Sequence, residues 1–204
     1  MDDYDISPAG YLERARSRIS DATPESLFYA ALELRCFVEA RQHQYLNAQK
    51  KYARSVAKAW ETSKQGRQLE KIFDPSRIQH LKYMFDDGTN YDFYYMPVTV
   101  ALRNGAERLS DLIHAQLDWR DPRDAWWTMK RGEIIRLYRL AWFCSQGNLL
   151  SPGMLNKGTT TGDLTALFTN GQGDGIRAKM VPGATFRMEV SYPDMAPTEW
   201  KCDL

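Results

Sequence analysis

Residues 26–65 read SLFYAALELRCFVEARQHQYLNAQKKYARSVAKAWETSKQ, and between Pro24 and Gly66 no proline or glycine interrupts them. Such a run predicts one long helix, or two in line, reaching on the order of 60 Å at about 1.5 Å per residue. Thr23-Pro24-Glu25-Ser26 opens it: Thr23 suits the N-cap, Pro24 the first helical position, and Glu25 the positive end of the helix dipole. Leu27, Ala31, Leu34 and Val38 form one row, continued by Tyr45, Tyr52, Val56 and Trp60, while Phe28, Ala30, Leu32 and Phe37 widen the apolar face. The first half is therefore expected at the centre of the molecule. The second half, with Lys50, Lys51, Arg54 and Lys58 along one side, is expected to protrude or to pack on one face only.

Working outward, a first helix is expected from Pro8 to Ile19, capped by Ser7. Ile78 to Tyr95 has Asp87-Gly88 between two aromatic-rich runs, which is a β-hairpin pattern. Thr99 opens a third helix carrying Leu102, Ala106, Leu109, Leu112, Ile113 and Leu117, in which Gly105 costs about 1 kcal/mol against alanine. Asp121-Pro122 opens a fourth, with Gly132 as a division and Gly147 as the terminator. Beyond Ser151 the pattern changes to extended runs at 164–169, 176–181 and 185–192, with a turn over Asn170 to Gly175, and a β-meander with one wet face is expected. The fold class is α+β: a bundle of about four helices over residues 1–148, carrying a hairpin at 80–96 and a β-rich extension over 149–204.

The composition sets bounds. With 43% hydrophobic residues a full core is affordable, and a formal net charge of +1 argues against a globally basic nucleic-acid binder. Cys36, Cys144 and Cys202 are scattered and odd in number, so neither a disulfide framework nor a zinc site is implied, and no cofactor is expected. The start MDDYDISPAG is acidic and carries no apolar segment, so a signal peptide is not expected. No apolar stretch approaches the roughly 20 residues a membrane helix needs. A soluble, cytoplasmic, bacterial protein without a membrane partner is the expectation.

Candidate chemistry starts at Arg108-Leu-Ser-Asp-Leu-Ile-His114. An imidazole moving a ribose 2′-OH proton beside a guanidinium that stabilises phosphorane charge is enough to cleave RNA without metal. Asp111 is placed to orient His114. On a straight helix, positions i and i+6 point about 120° apart, so the pair needs a distorted helix or a second subunit. A surface ion pair beside an ordinary helix histidine is the other reading.

These segments resemble the HEPN (higher eukaryotes and prokaryotes nucleotide-binding) helical family, common in bacterial toxin–antitoxin and phage-defence systems. LFYAALELRCFVEARQHQYL resembles one of its core helices, and RLSDLIH its arginine–spacer–histidine ribonuclease motif, over roughly residues 8 to 146. Leu109 stands where the family usually has a polar residue after the arginine. The resemblance implies a phosphate contact at Arg108, acid/base work at His114, an RNA substrate and a homodimer formed through the helices. A relative without nuclease activity, acting through a protein partner as an antitoxin, immunity or assembly protein, is the alternative.

Further polar groups complete the inventory. Glu33, Arg35, Glu39, Arg41 and His43 interrupt the most apolar part of the long helix, with Arg35/Glu39 and Glu39/His43 spaced as i,i+4 partners. They read as a binding site or an internal ion-pair network. Trp119, Arg120, Arg123, Trp126, Trp127, Lys130, Arg131, Arg136 and Arg139 mix aromatic and basic groups as single-stranded nucleic-acid sites do, although Asp118, Asp121, Asp124 and Glu133 interleave with them. Tyr91, Phe93 and Tyr95 are candidates for lining a small-ligand pocket between bundle and sheet.

Overall fold

The computed structural model describes residues 4–48, 62–71, 73–74, 76–114, 119–152, 154–156, 159–161, 166–168 and 172–204. In chain order the elements are α1 (Pro8–Asp21), α2 (Pro24–Ala48), α3 (Thr62–Glu70), β1 (Gln79–Phe85), β2 (Asn90–Tyr95), α4 (Val100–Arg108), α5 (Ser110–Ile113), α6 (Ala125–Ser145), β3 (Met154–Asn156), β4 (Thr159–Thr161), α7 (Gln172–Lys179) and β5 (Phe186–Ser191). The class is α+β and mainly helical.

Helix starts follow their caps. Ser7 Oγ accepts from Gly10 N at 3.1 Å, with Pro8 in the first turn of α1. Thr23 Oγ1 accepts from Ser26 N at 3.1 Å and opens α2 as expected. Leu27, Ala30, Ala31, Leu34, Phe37, Val38, Tyr45 and Leu46 on α2 are all buried, and α1, α3, α4, α5 and α6 pack around this helix. It is the central rod of the bundle. The continuation through Tyr52, Val56, Trp60 and the Lys50–Lys58 side lies outside the described residues.

Several boundaries move. The third helix breaks at Leu109 into α4 and α5, and the chain is already extended at His114. The fourth begins at Asp124, whose side chain accepts from Trp126 N at 2.9 Å, whereas Asp121 turns back on Arg123 N at 2.8 Å. Gly132 lies inside α6 and divides nothing.

The hairpin forms in register, with Leu81 opposite Phe93 and Tyr83 opposite Tyr91. β5 joins its other edge, placing Tyr83 opposite Met188 and Leu81 opposite Val190, so the sheet order is β2-β1-β5. Among the described residues, this last strand is the one member of the expected meander that forms. Residues 176–179 belong to helix α7 instead of a strand, with 180–181 beyond its end: Ile176 and Met180 are consistent with a two-residue alternation and equally with one helical turn, so periodicity could not separate the cases. Gly173 and Gly175 belong to that helix rather than to a hairpin turn, and Asp174 meets Arg177 at 3.6 Å along it. Of the run 164–169, Ala166 makes a single antiparallel bridge to Leu149. The short β3–β4 pair was not anticipated.

The seam between α2, the end of α6 and the β2–α4 link is polar and buried. The Arg41 guanidinium, 2% exposed, donates to Cys144 O at 3.1 Å, Gly147 O at 2.5 Å and Tyr45 Oη at 3.0 Å. Tyr45 Oη in turn donates to Met96 O. Gly147 is needed because a Cβ there would stand 2.9 Å from Met96 N and 2.8 Å from its Cβ. Beside Arg41, the wholly buried amide of Gln42 has no partner for either polar atom among the described residues.

Buried tyrosines give the bundle an alkaline limit. Burial raises Tyr45 and Tyr95, and it pushes Tyr138 from 10.0 to about 12. The folded protein keeps phenolic protons that the unfolded chain releases once pH passes 10.0. Stability is therefore full below that pH and falls as pH rises through the window up to about 12. In a pH titration, loss of helical circular dichroism should coincide with the tyrosinate absorbance. Tyrosinate appearing in full while the helices stay intact would contradict the burial argument.

Candidate functional site

The break at Leu109 decides the geometry of the Arg108/Asp111/His114 constellation. Arg108 ends α4 with an exposed side chain, its Nε 3.9 Å from Glu133 Oε1 on α6. Asp111, on α5, faces Lys130 Nζ at 3.7 Å, and Lys130 also meets Glu133 at 3.2 Å. His114 lies past the end of α5 and lines an open groove of about 470 Å³ with Glu25, Phe28, Tyr29, Leu32, Leu112 and Ile113. Arg108 is not part of that lining. Among the described residues, the His114 groove and the Arg108–Glu133 contact are separate, and Asp111 is directed at a lysine of another helix. The alternating charges Arg108, Glu133, Lys130 and Asp111 form a bridge fastening the α4–α5 corner to α6.

The polar set on α2 separates by helix face. Arg35 Nε meets Glu39 Oε1 at 3.2 Å, the expected i,i+4 pair, and Arg35 Nη1 also donates to Ser110 Oγ at 3.3 Å. Glu39 makes no bond with His43, whose Nδ1 is buried without a partner among the described residues. Glu33 points the other way, accepting from Arg14 Nε at 3.0 Å on α1. Arg41 faces the α6 seam. The expected single network is three separate groups, centred on Arg35, Glu33 and Arg41, because 100° per residue spreads these positions around the rod.

Two members of the aromatic–basic set, Arg123 and Lys130, are locally neutralised. Arg123 is held by Asp121 at 2.8 Å, and that hydrogen bond keeps the Asp121 carboxyl below its usual range. Lys130 sits 12% exposed between two carboxylates and 5.6 Å from the Trp126 ring, over which Arg120 also lies at 4.6 Å. Trp127 packs edge-on against Phe28 at 5.7 Å and donates Nε1–H to Asp121 O. Arg131 is half-buried, with its Nε unpartnered among the described residues. Arg139 donates to Leu204 O at the chain's C-terminal residue. Among the described residues, carboxylates interrupt the cationic surface at Arg123 and Lys130, which a phosphate-binding track would keep open. Among the described tryptophans of the set, Trp119 is strongly exposed, at 83%.

The ligand pocket expected at the aromatic hairpin exists in altered form. A cavity of about 230 Å³ lies between the sheet and α7, lined by Leu81, Tyr83, Phe93, Leu149, Phe168 and Ile176 among others. Of Tyr91, Phe93 and Tyr95 only Phe93 lines it. Tyr95 is buried under Tyr45 and Phe73 at 5.0 and 5.3 Å.

The groove at His114 was not anticipated as a site. Its signal lay in the apolar surplus on α2: Tyr29 and Leu32 remain 56% and 42% exposed after the bundle has closed. Among the described residues no helix is long and apolar enough to cross a membrane, and no group of side chains is arranged to hold a metal ion. Comparisons with protein-family models, with curated proteins and with solved structures found no match for this chain.

Proposed function

We propose that this chain is a HEPN-like protein of bacterial conflict or stress systems that works by docking a protein partner in the α2–α5 groove, not by cleaving RNA. The observation that carries the reading is the position of His114 in an apolar groove from which Arg108 is missing. A general acid/base needs its electrostatic partner within reach of the same reacting atom. Phe28, Tyr29 and Leu32 present instead an i, i+1, i+4 apolar ridge on α2, the kind of surface an amphipathic helix covers. The Arg18 guanidinium lies 5.4 Å from the Tyr29 ring and adds a polar rim.

A second reading keeps the nuclease. Arg108 and His114 are both solvent-exposed, so a homodimer would complete the pair by setting one protomer's arginine against its partner's histidine.

One preparation distinguishes the two. The purified protein is incubated with mixed RNA without metal, beside His114→Ala, and both are run by size exclusion with light scattering together with Leu32→Glu. The expected result is intact RNA in every lane and a complex, with a second copy or a co-purified protein, that Leu32→Glu dissolves. RNA cleaved by the wild type and spared by His114→Ala overturns the docking reading in favour of the nuclease. A monomer carrying no partner in all variants removes both.

A further inference from the structure

A separate cavity of about 500 Å³ opens between α1, α2 and the end of α6, away from the His114 groove. Its size falls within the range of small-molecule sites, roughly 300–1,000 Å³. Arg41 and Gln44 line it from α2, Arg16 and Glu13 from α1, and Tyr138 and Trp142 from α6.

The unusual member is Arg41. A guanidinium that is 2% exposed is ordinarily matched by a carboxylate, because charge transferred out of water needs a counter-charge. Among the described residues no carboxylate meets it. Its hydrogen bonds go to neutral acceptors alone: Tyr45 Oη, Gln44 Oε1 at 2.9 Å, Cys144 O and Gly147 O. Those contacts use four of the five guanidinium N–H groups and leave one on Nη1. By accepting from Nη1, Gln44 Oε1 is turned toward the arginine, and the Nε2 amide donors of Gln44 are turned away from it. The cavity thus carries a cation lacking its counter-ion, oriented amide donors beside it, and aromatic walls in Tyr138 and Trp142. Of the other charges lining the cavity, Arg16 is paired with Asp203 at 2.7 Å, and the exposed Glu13 carboxylate disfavours a second negative charge.

We infer that this cavity binds a small organic monocarboxylate with a flat apolar body, its carboxylate accepting from Arg41 and Gln44 and its body lying against Trp142 and Tyr138. The ligand supplies the missing counter-charge. A dianion such as phosphate fits less well, because Glu13 opposes the extra charge and the aromatic walls offer it nothing.

The experiment follows the Trp142 indole N–H resonance, assigned with Trp142→Phe, while phenylacetate, its neutral isostere phenylacetamide, or inorganic phosphate is added to the full chain. Phenylacetate is expected to shift that resonance saturably, with phenylacetamide and phosphate at least tenfold weaker. Gln44→Glu places a carboxylate beside Arg41 from within the protein. It should therefore raise the melting temperature while weakening phenylacetate at least tenfold, so a loss of binding is not confused with a loss of fold. Equal binding of the acid and the amide, binding of phosphate alone, no shift with any probe, or a Gln44→Glu protein that binds phenylacetate as well as the wild type would each overturn the assignment.

Discussion

Arg41→Met is expected to destabilise the protein by about 2–4 kcal/mol, read as a lower urea midpoint with an unchanged slope. The guanidinium ties α2 to the end of α6, taking the carbonyls of Cys144 and Gly147 there and the hydroxyl of Tyr45 on its own helix. Methionine keeps most of the volume but donates nothing, so the Cys144 and Gly147 carbonyls lose their hydrogen bonds to this side chain. Part of that loss is offset, because an arginine without a carboxylate is itself costly to bury. Arg41→Lys is expected to lose nearly as much. A single ammonium on a flexible stem cannot reproduce the planar fork that reaches these acceptors together. A methionine variant as stable as the wild type would mean that the charge costs as much as its bonds return.

Gly105→Ala is the second large effect, and its sign is opposite to what helix propensity implies. In an isolated helix alanine gains about 1 kcal/mol over glycine. In this bundle an added Cβ at position 105 would stand 2.1 Å from Leu137 Cδ2 and 3.2 Å from Cδ1. Leu137 is wholly buried on α6, so its methyls have no free space to retreat into. Separating α4 from α6 or forcing Leu137 off its rotamer costs about 1–3 kcal/mol. The variant is therefore expected to melt lower than the wild type. Leu137→Val alone should also be destabilising, yet combined with Gly105→Ala it should cost less than the two losses added, since the smaller side chain makes room for the new methyl. Strictly additive losses, or an alanine variant that melts higher, would show that the α4–α6 approach is not the constraint.

Gly105 also shows where sequence reasoning stops. Read along the chain, it was a tolerated weakness in a helix; its reason is a methyl group on a helix that begins some twenty residues later in sequence. The start of α2, its buried row from Leu27 to Leu46, and the hairpin around Asp87-Gly88 were legible because each is specified by neighbours within one or two turns. The stretch 176–181 was misread for the same local reason, since six residues fit both periods. The break at Leu109 had no such mark: nothing in RLSDLIH signals that the helix stops and restarts.

The candidate site divides in the same way. The sequence pointed to Arg108, Asp111 and His114 as chemistry-bearing residues, and to Arg35 with Glu39 as a pair, because spacing along a helix is a local quantity. Which of them share a cleft is not. The break at Leu109 sends His114 to the apolar groove while Glu133 and Lys130 claim Arg108 and Asp111.

By itself the sequence determined a mainly helical α+β protein organised on an apolar rod, because hydrophobic periodicity and capping act within a few residues. The tertiary structure alone decided that Arg41 is buried without a carboxylate beside a cavity, that β5 completes the hairpin sheet, and that Leu137 occupies the space above Gly105. Those outcomes depend on which distant groups arrive next to one another, and burial, counter-charge and steric room exist only once they have.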